Sequence, residues 1–354
     1  MTVEVETTAV SIGTLPRLQE ETSEWVWSMT WSWTNLLQLM FSLVGSVGNL
    51  LVILVLAGRQ TARYSMDVFI LALAVADFLT SVVMIPVPMA QRVPDTITGS
   101  LYCKVIFPSY LLWIFIFSSA YILAGMSVER FVAVAYPLHR HHVITKRRVY
   151  IFLAIVGILS IPASAHNIKV EVIGNRCQDT KPMTVKIDIA IYLFFARVGF
   201  PVLTMVVTQV MTALVLHRQH KELNNVLSAQ KGGVPSIHLT ARNSIVKMTA
   251  TIVAVFILSL GPNHLMLMIA GLRGTLRSYL FSPLYYVFNF LAFINSTANP
   301  FIYAARYPKF RTAIKDVFTK GLSKTKLPLF DQAIDHHSGI STQITNASSV
   351  SGLI

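Results

Sequence analysis

The chain has 354 residues, of which 54% are hydrophobic and only 13% charged. Soluble domains carry about 25% charged residues, so a water-soluble globule of this size would lack the polar surface it needs. A formal net charge of +13 raises nucleic acid as a partner. The lysines and arginines, however, sit between and after apolar runs rather than in a basic patch interleaved with aromatics, which excludes that class.

In chain order, residues 1–34 hold Glu4, Glu6, Glu20, Glu21 and Glu24 against Arg17 alone. No basic stretch leads into an apolar one, so no signal peptide is expected. Trp25, Trp27, Trp31 and Trp33 alternate as in a strand, but tryptophan concentrates at bilayer interfaces. The reading is an acidic extracellular tail ending in an aromatic membrane anchor. Seven apolar segments follow, near 35–57, 67–90, 101–136, 148–165, 187–216, 243–271 and 280–304, each long enough to cross a bilayer. The fold class is therefore an all-α membrane protein, a seven-helix transmembrane bundle over 35–304. Residues 305–320 follow as a short amphipathic surface helix carried by Phe310, Ala313, Ile314, Val317 and Phe318. Residues 321–354 are rich in Ser and Thr and are expected to form a disordered cytoplasmic tail.

The third segment organises the rest. It opens at Cys103, closes on Glu129-Arg130-Phe131, and has no charge from Leu111 to Ala124. Read as one helix, Cys103 to Arg130 spans about 40 Å, more than the roughly 30 Å hydrocarbon core, so both ends reach an interface. Of 29 Lys and Arg residues, 19 fall on one side, 9 on the other, and Arg197 lies within a helix. The basic side faces the cytoplasm, which puts the N-terminus outside and the C-terminus inside a multi-pass protein of the plasma membrane. The two cysteines, Cys103 and Cys177, then share the oxidising side, where a disulfide forms in preference to two free thiols.

These features together resemble the rhodopsin-like (class A) G-protein-coupled receptors over about residues 35–320. The motifs run in order: Gly48-Asn49, Leu73-Ala74-Val75-Ala76-Asp77, Glu129-Arg130-Phe131, Pro201, Phe256 with Pro262, and Asn295-Ser296 with Asn299-Pro300-Phe301-Ile302-Tyr303. The resemblance implies several sites. Asp77, a costly carboxylate inside an apolar run, would share a sodium site with Ser119, Asn295 and Asn299; a water-filled polar cluster fits the same residues. Glu129 would neutralise Arg130 at rest. On activation the sixth helix would swing out to admit a heterotrimeric G protein, with Phe256, Pro262, Pro300 and Tyr303 taking part. Arrestin and receptor kinases are implied at the tail, membrane lipids around the bundle, and no organic cofactor.

Departures from the family pattern matter as much. Leu260 stands where a tryptophan is usual, Gln209 where a tyrosine is usual, and the fourth segment has no tryptophan. Cys103 precedes Arg130 by 27 residues, two more than usual, and Pro108 is expected to absorb the surplus as a distortion. Arg242 and Lys247 replace a carboxylate at the foot of the sixth helix, so Arg130 meets repulsion there. That predicts signalling without ligand.

For the ligand, Leu112 occupies the position where amine receptors place an aspartate, and no lysine lies in the seventh segment to bind retinal. Trp113, Ile116 and Leu260 join Arg197, Asn263, His264 and Asn289 as candidate pocket residues. Arg197 suits a carboxylate or C-terminal amide, with a snorkelling interfacial arginine as its plain alternative. The seventh-segment motif and the basic outer loops are most similar to peptide receptors, ahead of receptors for a lipid or small acid. A transporter would show paired repeats or broken helices. An enzyme would need a nucleophile-base pair or metal cluster, whereas His141-His142 and His336-His337 read as solvated loop residues.

Overall fold

Apolar length decides the architecture. The computed structural model describes residues 24–29, 31–57, 65–164, 170–179, 187–229, 237–280, 282–306 and 308–320. Among them, six helices are long and apolar enough to cross a membrane. A seventh, Pro283–Arg306, is 24 residues long and would span about 36 Å. It is more polar because it brings Asn289, Asn295, Ser296, Thr297 and Asn299 into the bundle. The chain therefore forms the expected seven-helix bundle. The acidic residues before Glu24 and the Ser/Thr-rich segment 321–354, with His336-His337, lie outside the described residues.

The first helix is Trp33–Ala57, the second Ser65–Val83, the fourth Lys146–Ser164 and the sixth Ile237–Leu272. Close approach of the first helix depends on glycine. A Cβ at Gly45 would collide with Ser81 Oγ and lie 3.0 Å from Thr297 Cγ2, and one at Gly48 would lie 3.0 Å from Pro300 Cγ. Small residues let membrane helices approach backbone to backbone, and here they draw the second and seventh helices together around Asp77. The third helix is zipped to the fourth by Tyr110 Oη donating to Ile161 O (2.8 Å) and Ser118 Oγ donating to Ser160 Oγ (3.0 Å).

Three expectations need correction. The third segment is not one helix. A short helix Ile97–Leu101 and a π-helical turn Tyr102–Ile106 precede a break at Ser109 (φ 54°), and the spanning helix is Tyr110–Ala135. The break follows Pro108 directly, because proline lacks the N–H that would continue the ladder. Second, Trp25 and Trp27 belong to a paired strand rather than to a flexible tail. Val26–Ser28 is a strand antiparallel to Met89–Arg92, pairing Trp27 with Ala90, while Trp25 and Trp27 stack on each other and edge-on to Tyr102. Cross-strand pairing satisfies backbone groups that an interfacial coil would leave to water. Third, in the helix Pro308–Lys320, Phe310 does not insert into lipid. It is buried against Tyr303, and nothing is described of the Phe318 side chain.

The fifth helix is interrupted. Ile187–Phe194 runs into a π-helical turn, Phe195–Gly199, and continues as Phe200–Ala229. The turn precedes Pro201, and π-bulges of this kind recur at functional sites.

Candidate functional site

At the end of the bundle that carries the cysteines, strands Val170–Ile173 and Arg176–Asp179 form a hairpin. Cys177 on that hairpin is bonded to Cys103, and the sequence between them spans 74 residues. Closing a loop of that length removes unfolded-chain entropy worth about 4 kcal/mol. Val93 N–H donates to Asn175 O at 2.9 Å, joining the hairpin turn to the connection between the second and third helices. The lid is thus two short sheets, a covalent bond and a tryptophan cluster.

Below it, the candidate pocket residues separate into two groups. Arg197, turned inward by the π-helical turn, donates from Nε and Nη2 to Ala163 O (3.1 and 3.0 Å) at the end of the fourth helix. Its guanidinium lies 5.1 Å from the centre of the Phe117 ring. Trp113 stacks on Phe117, and His264 packs at 5.9 Å from both rings. Arg197 is therefore held against an aromatic cradle rather than reaching for an interface. The second group is polar: Asn263 Nδ2 donates to Asn289 Oδ1 (3.0 Å), and Tyr279 Oη donates to Asn263 Oδ1 (2.8 Å). Burial and the neighbouring Tyr285 push the Tyr279 phenol up to about 12, so it remains a donor at neutral pH. Leu112, Ile116 and Leu260 are buried in the adjoining core. Among the described residues, buried His264 Nε2 meets no hydrogen-bond partner.

At mid-depth, Asp77 is fully buried. Its Oδ1 accepts from Ser119 Oγ at 3.0 Å and its Oδ2 from Asn299 Nδ2 at 2.6 Å. Asn295 is buried nearby but supplies none of the described bonds to Asp77. Asn49 Nδ2 bridges Gly45 O and Ser296 O. That leaves Asn49 Oδ1, Asn299 Oδ1 and the hydroxyls of Ser46 and Ser296 buried without partners among the described residues. Such a set of orphaned oxygens around a carboxylate fits a hard cation.

The opposite end of the bundle is ionic. Glu129 Oε2 accepts from Arg130 Nε at 2.6 Å, and Oε1 accepts from Arg140 Nη2 at 3.1 Å and Ser65 Oγ at 3.0 Å. Glu129 is 1% exposed, Arg130 3% and Arg140 2%. Arg140 is eleven positions beyond Glu129, and no local spacing in the sequence brings it back to that carboxylate. Phe256 and Tyr303 are fully buried in the hydrophobic core, Pro262 sits inside the sixth helix, and Pro300 inside the seventh. Lys247 is exposed, and the side chain of Arg242 is outside the described set.

A family model described as "7 transmembrane receptor (rhodopsin family)" matches residues 48–303. The chain belongs to this family. The receptor is similar to an allatostatin-A receptor of Bombyx mori, 26% identical over 78% of this chain and 76% of that protein. It is also similar to neuromedin-U receptor 2 of Rattus norvegicus, 28% identical over 78% of this chain and 72% of that one. Galanin receptor type 1 of Mus musculus is 28% identical over 78% of each. The chain is thus a multi-pass membrane receptor that signals through G proteins, and not an enzyme.

Proposed function

We propose that the receptor faces its N-terminus outward, takes a peptide on the outer side, and passes the signal to a heterotrimeric G protein through Arg130. The observation that carries this reading is the ligand-ready floor of the outer site: a buried His264 Nε2 beside Arg197, Trp113 and Phe117. A buried nitrogen in want of a partner costs about 1–3 kcal/mol, which a peptide carbonyl or carboxylate would offset. The names of the similar receptors support a peptide over a lipid or small acid, as do the outer loops, in which lysine and arginine outnumber aspartate and glutamate. Among the pocket residues, Arg197 would stabilise a terminal carboxylate or amide, while Asn263 and Asn289 would orient backbone amides.

The distribution of lysine and arginine supports the orientation. Sodium at Asp77, with oxygens from Ser119, Asn299 and Asn49 and with Asn295 close by, would stabilise the resting bundle by neutralising the carboxylate. The Ser and Thr residues beyond 320 suit kinase and arrestin recognition, and the exposed apolar faces suit lipid. Screening a peptide library by nucleotide exchange on purified G protein tests the reading. A hit on the wild type that weakens at least tenfold with Arg197→Ala is expected, about 1.4 kcal/mol of lost binding. Activation confined to lipids would overturn the peptide assignment.

A further inference from the structure

The π-helical turn of the fifth helix, Phe195–Gly199, closes with Phe200 N–H donating to Phe195 O, five residues back. Ala196 O therefore loses the N–H that an α-helix would give it. The next donor in a π ladder would be the N–H of residue 201, and Pro201 has none. Inside a bilayer a carbonyl stripped of both ladder partners is costly. The third helix supplies the donor: Tyr121 Oη donates to Ala196 O at 2.5 Å, and its ring lies 6.5 Å from that of Phe200. One turn earlier on the same face of that helix, Phe117 lies under the Arg197 guanidinium. Arg197 in turn donates to Ala163 O, one of the last carbonyls of the fourth helix, which have no partner within it. Gly199 gives the turn room, since a Cβ there would stand 2.8 Å from Phe195 Cδ1.

Two registers thus compete at one carbonyl. Without a hydroxyl at position 121 the α register becomes the better one, because Phe200 N–H can return to Ala196 O. One residue of register turns the helix above the bend by about 100° and slides it by about 1.5 Å. That rotation takes Arg197 off Phe117 and carries Leu193 toward the place that Tyr192 now holds. We infer that Tyr121 is a positioning residue for the candidate pocket: its hydroxyl holds the fifth helix in the π register and so sets the aim of Arg197 and of Ile187–Phe194. The consequence for ligand binding rests on the peptide-receptor reading above; the register does not.

Both cysteines are consumed in the disulfide, so one added cysteine can carry a nitroxide in the full-length receptor in nanodiscs. Leu193 is half-buried and Tyr192 is 68% exposed. A label placed by Leu193→Cys should therefore collide several-fold more often with molecular oxygen once Tyr121→Phe is added. A label at half-buried Thr204, below the turn (Thr204→Cys), should not change. In Pro201→Ala, where residue 201 regains an N–H, Tyr121→Phe should add nothing at position 193. No rise at 193, an equal rise at 204, or a full further rise in the Pro201→Ala background would overturn the inference. A pool of C-terminally amidated pentapeptides that drives nucleotide exchange through the wild type should be about tenfold weaker on Tyr121→Phe, and the double variant no weaker than Arg197→Ala alone. Unchanged potency on Tyr121→Phe would overturn its role in aiming Arg197. Failure of every pool on the wild type, with the oxygen result as expected, would instead sink the peptide reading and leave the register inference standing.

Discussion

The two ends of the bundle are held by different chemistry. The outer end is fixed by a disulfide, two small sheets and stacked tryptophans, none of which rearranges without unfolding something. The opposite end is held in part by the Glu129 carboxylate, which Arg130, Arg140 and Ser65 share, contacts that can be exchanged for others within the folded state. A signal entering at a rigid mouth can be read out only where alternatives of similar energy exist. The contrast suits the proposed reading, with the ligand at one end and movement at the other.

Breaking the outer end should cost most. Cys103→Ser releases the loop between the cysteines and should lower stability by about 4 kcal/mol, read as a lower melting temperature in detergent. Breaking the inner end with Glu129→Ala buries two arginines with no shared anion, and should cost about 3 kcal/mol. The same variant should raise ligand-independent nucleotide exchange, whereas Cys103→Ser should not. Equal effects of both on exchange would erase the distinction between the ends.

The middle of the bundle sharpens the comparison. With sodium at tenfold excess over its Kd, thermal stability of the wild type should exceed that in choline by about 1.4 kcal/mol, and Asp77→Asn should abolish the difference. The smallest effect belongs to Tyr279, whose lost hydrogen bond in Tyr279→Phe should cost about 1 kcal/mol. Because its folded-state pKa is raised from 10.0 to about 12, its contribution is complete below pH 10 and is lost as pH rises toward 12. An alkaline melting curve in which wild type and Tyr279→Phe converge over that range would show it.

Most of the bundle was legible in the sequence because apolar length and the order of polar interruptions are local properties. Cys103 and Cys177 could be paired once both fell on one side of the membrane. Pro108 marked where the third segment breaks, though not that a separate short helix and a π-helical turn precede it. Distant partners were the illegible part. The alternation of Trp25 and Trp27 suited a strand, but only Met89–Arg92, more than sixty residues on, decides it. Arg197 was found as a charge within a helix, yet its partner is the backbone carbonyl of Ala163, which no side-chain pattern reveals. Arg140 was invisible for the same reason, since its role depends on the fold of the connection and not on its own neighbours.

The most direct test of the account is nucleotide exchange on a panel of purified heterotrimeric G proteins, comparing wild-type receptor in nanodiscs with Arg130→Ala and with empty discs, without ligand. The account predicts that the wild type accelerates exchange on at least one heterotrimer above empty discs and that Arg130→Ala removes the acceleration. Exchange indistinguishable between wild type and empty discs across the panel, or unchanged by Arg130→Ala, would contradict it.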